Sequence, residues 1–303
     1  MEAVADTSEK SQKPYVKKLK DAIGAENVKT SEMERLLYSH DSTGLPKEID
    51  IGFKVIPDVV VRPSSTQDVQ KIVKIAADAG VPITPRGAAT GYVAAGVPAA
   101  GGISLDMVAR MSKVLNIDEE NMTITCQAGA SWGTVYDAAW EKGFLLGAYP
   151  SSFPNASVAG WIAMNGVGMG NYKYGSAGDN IRNMVVVLPN GTIINTGFDS
   201  LADNMTGYNL NRLFVGTEGT LGVITEVTLK LYPKPEVFRP LAYSFESLDK
   251  VGAPLKDLTR SKVTPLHVAW SDGNHFKYLR KMGHDAPEVG CLWLVTLEGD
   301  KAM

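Results

Sequence analysis

The sequence predicts an α+β protein, and three observations carry that expectation. From residue 58 onward the pattern runs strand, helix, strand, with a Val-rich run, an amphipathic helix and a second apolar run in succession. Further on, two apolar runs flank Asn190-Gly191, a strong short-range signal for a hairpin, and an alternating strand follows over 223–231. The chain is also long enough, at 303 residues with 44% hydrophobic and 21% charged, to bury a core that needs no staples.

Taken in order, residues 1–13 are polar and read as a disordered tail. Helices are expected near 14–23 and 31–40, the second opened by the capping box Ser31-Glu-Met-Glu34. A loop with Asp41, Gly44 and Pro46 leads to the first strong strand, 58–62. Ser65 caps a helix whose Val69, Ile72, Val73, Ala76 and Ala79 form one apolar stripe, and Gly80 ends it. Strands follow at 81–84, 103–105 and 122–127, then a helix over 131–142 in which Trp132, Val135, Ala139 and Trp140 read as core. The hairpin pairs 184–188 with 192–196, and Tyr232-Pro-Lys-Pro235 after the alternating strand reads as a domain boundary. Beyond it, 241–245, a helix around 248–260, 266–270 and 291–297 look like one βαβ-type layer, with 291–297 an unpaired edge prone to association. The organisation expected is thus 1–52 tail and helices, 53–234 a central domain, and 235–303 the start of a further domain.

Composition excludes several classes. A net charge of −3 and a pI near 5.9 lack the basic footprint of a nucleic-acid binder. No run of 18 apolar residues exists to span a bilayer, and the polar N-terminus lacks the apolar centre of a signal peptide, so the cytoplasm is expected. Cys126 and Cys291 have no metal-ligand spacing and read as buried thiols in a reducing compartment.

The chemistry concentrates in three small-residue runs. The first, Val81-Pro-Ile-Thr-Pro-Arg-Gly-Ala-Ala-Thr-Gly91, is a strand ending in a loop where Gly87 and Gly91 free the backbone and Ala88 and Ala89 keep side chains short. Such a loop can bring several N–H groups to one anion, with Arg86 as an added charged donor; alone, it is equally an ordinary tight loop. The second spans Pro150 to Gly170 and continues to Lys173-Tyr-Gly175; it is too rich in Gly, Ser and Ala for an ordinary core helix. The third, Gly216-Thr-Glu-Gly-Thr-Leu-Gly222, opens the last alternating strand.

Together these runs resemble the FAD-linked oxidase family with a vanillyl-alcohol-oxidase (PCMH) type FAD-binding domain, most closely its glycolate oxidase and D-lactate dehydrogenase branch. Pro85 to Gly91 matches that family's Pro-Arg-Gly-Gly-Gly-Thr-Gly; Ser157 to Gly168, Lys173 to Gly175, Leu188 to Gly191 and Gly219 to Thr225 match its later motifs in order. The resemblance covers about 53–234. It implies a two-subdomain FAD-binding domain followed by an incomplete ferredoxin-like cap domain, with FAD extended between the subdomains. Backbone donors at Gly87, Ala88, Ala89, Thr90 and Gly91, with Arg86 beside them, would hold the pyrophosphate. Ser152, Ser157, Gly160, Asn165 and Gly168, with Tyr174 and Gly175, would line the ribityl and flavin end, and Ile224 would meet the adenine side. Departures are Ala88, Ala89 and Ala159 where glycine is usual, and Trp161 where a small polar residue is; a methyl there requires negative φ or a different loop path. With no histidine in the first loop and no cysteine in the second, the FAD is expected to be dissociable.

The implied reaction is oxidation of a small 2-hydroxy acid such as D-lactate or glycolate, with electrons passed to an electron-transfer flavoprotein, an iron–sulfur partner or another acceptor other than oxygen, and with peripheral placement at the inner membrane face compatible with it. The family's catalytic and metal-binding histidine motif has no counterpart here, so no catalytic residue is assigned and no metal is expected. His267 and His275 flank Trp270-Ser-Asp-Gly-Asn274, which lacks that motif's full pattern and reads as a turn. The alternative function is an FAD-binding subunit or fragment that completes its site with a partner chain. Two other nucleotide folds fail on their own terms: no Gly-x-Gly-x-x-Gly lies between strand and helix, and Gly91 to Gly96 continues Val-Pro rather than Lys-Ser/Thr.

Overall fold

The computed structural model describes residues 13–43, 56–198 and 205–301. The expected tail lies outside them except for Lys13, as does part of the loop after Asp41. The fold is α+β, as the strand and helix patterning predicts.

The first sheet has four strands: β1 (Val28–Lys29), β2 (Val59–Val61), β3 (Ile83–Arg86) and β4 (Ile103–Asp106), in the order β1-β2-β4-β3. β2, β4 and β3 run parallel, and β1 is an antiparallel edge. The N-terminal helices α1 (Pro14–Ile23) and α2 (Glu32–Leu37) are thereby built onto this sheet, since β1 lies between them in sequence. Ser31 caps α2 as its spacing predicts, its hydroxyl accepting from the Glu34 N–H. The crossover helix α3 (Thr66–Ala79) is capped by Ser65, whose hydroxyl accepts from the Asp68 N–H at 3.1 Å, and ends at Gly80 in left-handed backbone at φ 62°. Its Val69, Ile72, Val73 and Ala76 are buried.

The second sheet is antiparallel throughout. β5 (Val114–Asp118), β6 (Thr123–Gln127), β8 (Ile181–Val187), β9 (Ile193–Asn195) and β10 (Val223–Pro233) lie in the order β5-β6-β10-β8-β9, and β7 (Phe144–Leu146) pairs with the end of β10. The Asn190-Gly191 hairpin forms, with the Gly191 N–H on the Leu188 carbonyl at 2.8 Å. Helices α4 (Trp132–Glu141), α5 (Val158–Ala163), α6 (Asn171–Tyr174) and α7 (Asn211–Phe214) accompany it. One apolar core joins both sheets, running from Leu19, Ile72 and Leu105 to Trp132, Met184 and Val227.

The last unit differs from expectation. It comprises β11 (Val237–Phe245), α8 (Gly252–Arg260), β12 (His267–Asp272), α9 (Gly273–Lys281) and β13 (Cys291–Gly299), ordered β11-β13-β12 and antiparallel. β13 is therefore the central strand, hydrogen-bonded on both sides, and not the unpaired edge. The apolar run 291–297 explains the position: a strand buried among neighbours needs hydrophobic residues on both faces, which is also how an exposed edge would read. One face, with Cys291, Trp293 and Val295, makes a small separate core with Val251, Leu255 and Leu258. The other face turns toward the rest of the molecule. There the Lys173 ammonium meets the Glu298 carboxylate at 2.7 Å and Phe238 stacks near Trp140 at 6.1 Å. Asp272 caps α9 by accepting from the His275 N–H, so the Trp270–Asn274 stretch is a strand-to-helix turn. Among the described residues no helix is long and apolar enough to cross a membrane.

Candidate functional site

The three small-residue runs converge on one cleft of about 340 Å³. The loop 85–91 after β3 forms one wall, residues 150–164 the second, and Glu218, Gly219, Gly222 and Ile224 the third. Of the residues expected at the site, Arg86, Gly87, Ala88, Ala89, Thr90, Gly91, Ser152, Ser157, Gly160 and Ile224 all line this cleft.

Each wall is fixed by a local reason. Ser157 is the N-cap residue of α5, yet its hydroxyl does not bond its own helix; it accepts from the Ala88 N–H at 3.2 Å and so seats the first loop on the second run. Gly87 is glycine because of that contact. A Cβ there would lie 2.1 Å from the Ser157 hydroxyl and 3.4 Å from the Gly160 Cα. Thr90 and Ser152 hydroxyls approach to 3.4 Å across the gap. The third run docks on α5, the Gly216 N–H on the Ile162 carbonyl and the Glu218 N–H on that of Ala163.

Arg86 does something other than donate charge to a ligand. It is 9% exposed, and its guanidinium donates to the carbonyls of Gly96 at 3.0 Å and His40 at 2.7 Å while lying 5.2 Å over the Tyr38 ring. Burial pushes its pKa down, while Tyr38, Asp41 and Asp106 push the other way. The arginine closes the loop on itself. Among the described residues no hydrogen bond takes up the N–H groups of Ala89, Thr90 and Gly91. With acidic Asp41 and Glu218 on the walls, an anion in this cleft would be met by backbone dipoles, not by a free cation.

Four expected residues lie elsewhere. Asn165 is exposed, at φ 48°, beside Gly216. Gly168 packs on Tyr149, whose carbonyl would be 2.2 Å from a Cβ, and its neighbour Met169 bridges to Tyr149. Tyr174 donates its hydroxyl to Glu298 in β13, and Gly175 follows it at φ 78°. Lining residues that sequence reasoning left out include Asp41, Met107, Trp161 and Glu218. Glu218 belongs to the third glycine run, which was the available signal; nothing local marks Asp41 or Met107.

A family model described as an FAD binding domain matches residues 57–197, the stretch that carries the first two walls. Over those residues the chain carries an FAD binding domain. Glycolate oxidase subunit GlcD of Bacillus subtilis is 37% identical over 249 residues, covering 82% of this chain and 51% of that protein. D-lactate dehydrogenase of Anaerostipes hadrus is 32% identical over 271 residues, covering 87% and 55%. Among solved structures, alkyldihydroxyacetonephosphate synthase superposes with a TM-score of 0.80 at 25% identity over 96% of this chain and 57% of that one. Substrate-bound p-cresol methylhydroxylase reaches 0.75 at 20% identity over 95% and 61%, a likeness of fold. The chain spans about half the length of the curated relatives it matches.

The cofactor of this domain is FAD, and the cleft fits it. Small side chains let backbone approach an extended ligand, three N–H groups without a partner among the described residues are available to a pyrophosphate, and the apolar Ala156, Ala159 and Trp161 offer surface to a flat ring. A second cavity, of about 270 Å³, lies between Met169 and the inward face of the third sheet, lined by Pro240, Leu241, Ala242, His267, Leu294 and Thr296. Burial lowers the His267 pKa, which favours its neutral form.

Proposed function

We propose that the chain is the FAD-binding part of an oxidoreductase that oxidises a small 2-hydroxy acid, such as D-lactate or glycolate, and passes electrons to an acceptor other than oxygen. The observation that carries this reading is the convergence of three separate small-residue runs on one cleft whose only basic side chain among the described residues, Arg86, is spent on carbonyls.

In this reading residues 53–234 hold the cofactor and 235–303 begin the substrate-covering unit. The N–H groups of Ala89, Thr90 and Gly91 bind the pyrophosphate, with Gly87 and Ala88 shaping the turn and Arg86 bracing it. Ser152, Ser157 and Gly160 line the ribityl stretch, and Ile224 meets the adenine. Asn165, Gly168, Tyr174 and Gly175 act around the flavin end by shaping the backbone there. FAD supplies the acceptor for the electron pair that leaves the substrate carbon. The inward face of the third sheet faces the substrate, and the onward acceptor is an electron-transfer flavoprotein or an iron–sulfur protein.

A second reading is that the domain completes its active site with another chain. It is favoured by the inward face itself, where Leu294 is still 44% exposed. Anaerobic addition of D-lactate or glycolate to the FAD-loaded protein separates the two. Bleaching of the flavin absorbance supports the self-sufficient oxidoreductase; a flavin spectrum that neither acid bleaches supports the partner-dependent one.

A further inference from the structure

Two alanines in the cleft loop adopt backbone that alanine disfavours. Ala89 lies at φ 55° and Ala94 at φ 59°, both in the left-handed region. For a residue with a Cβ that region is disfavoured, because the Cβ crowds the following carbonyl oxygen. Such conformations persist only where neighbouring structure holds them.

Both alanines are held by the same short segment. The Ser42 N–H and the Ser42 hydroxyl both donate to the Ala89 carbonyl, at 3.2 and 3.1 Å. The adjacent Thr43 hydroxyl accepts from the Ala94 N–H at 3.1 Å. The segment is itself anchored. The His40 carbonyl accepts from Arg86, and the Tyr38 ring lies beneath the Arg86 guanidinium. The Tyr38 hydroxyl donates to Asp106 at 2.6 Å and accepts from Arg62 at 3.3 Å. Asp106 also takes the Val108 and Ala109 N–H groups at the end of β4. Residues 38–43 therefore form a strap from the rigid end of the parallel sheet to the two left-handed points of the loop.

We infer that Ser42 and Thr43 are positioning residues for cofactor binding, holding Ala89 and Ala94 in the left-handed backbone that presents the Ala89, Thr90 and Gly91 N–H groups to one anion. The inference rests on the FAD reading of the cleft. Without the strap the loop spends less time in the competent conformation, and the apparent dissociation constant rises by the lost fraction. Glycine reaches the left-handed region without the Cβ penalty, so a glycine at 89 or 94 makes the matching strap bond dispensable.

The test is a pair of double-mutant cycles, Ser42→Ala with Ala89→Gly and Thr43→Val with Ala94→Gly, read by FAD quenching on titration of the apoprotein and by apoprotein melting. One neutral hydrogen bond is worth about 1 kcal/mol net. Ser42→Ala is accordingly expected to raise the FAD dissociation constant about fivefold beside Ala89, and less than about twofold beside Gly at that position. Thr43→Val behaves the same way toward Ala94→Gly, and each strap substitution lowers the apoprotein melting temperature more in the alanine background. Equal effects in both backgrounds, or none in either, overturn the inference while leaving the FAD reading intact. Failure of the unaltered protein to bind FAD overturns the FAD reading, and the melting cycles then report on the strap alone.

Discussion

The Tyr174 hydroxyl donates to the Glu298 carboxylate, joining the second small-residue run to the central strand of the third sheet. Lys173 reaches the same carboxylate oxygen at 2.7 Å, and the Glu298 side chain is only 2% exposed. Two neighbours in one short helix thus pin the inward-facing sheet to the second small-residue run. This gives Tyr174 a structural task.

Burial first, then the bond to Glu298 and its charge, raise the Tyr174 pKa above its ordinary 10.0. In the unfolded chain the phenol deprotonates near that ordinary value, while the folded protein keeps the proton. The folded state binds more protons above about pH 10, so stability falls as pH climbs through that range. Tyr174→Phe should lower the urea midpoint at neutral pH, losing about 1.5–3 kcal/mol for a bond to a charged group, and should flatten the alkaline fall. Midpoints measured at about pH 8 and about pH 10.5 check both effects; an unchanged alkaline slope would assign it to other tyrosines.

The two cysteines should be inert in the folded protein. Both are fully buried, and desolvation pushes the Cys126 thiol up to about 12, far from the reactive thiolate. Reaction with a coloured disulfide reagent should be slow in buffer and rapid in urea. Cys291 should react first as denaturant rises, because its core is a small cluster separate from the main one. Fast modification of Cys126 in buffer would contradict the packing described.

Gly87 and Gly91 should separate packing from space. At Gly91 a Cβ meets nothing within 4 Å, whereas at Gly87 it strikes the Ser157 hydroxyl. Ser157 can turn away only by giving up the Ala88 N–H. Gly87→Ala should therefore cost about 1–3 kcal/mol of stability and weaken FAD binding, with Gly91→Ala close to neutral in thermal melts.

Local signals were legible in the sequence and non-local ones were not. Gly80, Ser65, Ser31 and Asn190-Gly191 act within a few residues of themselves, and each does in the structure what its type dictates. The small-residue runs were legible as site walls because short side chains and glycine constrain backbone wherever they occur. The direction of Arg86 was not, since its partners His40 and Gly96 are remote or in a loop of no fixed period. The positive φ of Ala89 was hidden for the same reason: alanine carries no sign of left-handed backbone, and Ser42 holds it from 47 residues away. The place of β13 depends on strand order, which an apolar run shared by buried and edge strands does not encode.

In the proposed reading the cleft between the loop 85–91 and residues 150–164 binds FAD through backbone donors. Titrating apoprotein into FAD while following flavin fluorescence tests it most directly. One FAD bound per chain, with the bound spectrum of a flavoprotein and an affinity weakened by Gly87→Ala, is the expected result. An affinity that Gly87→Ala leaves untouched, or no binding at all, would contradict it.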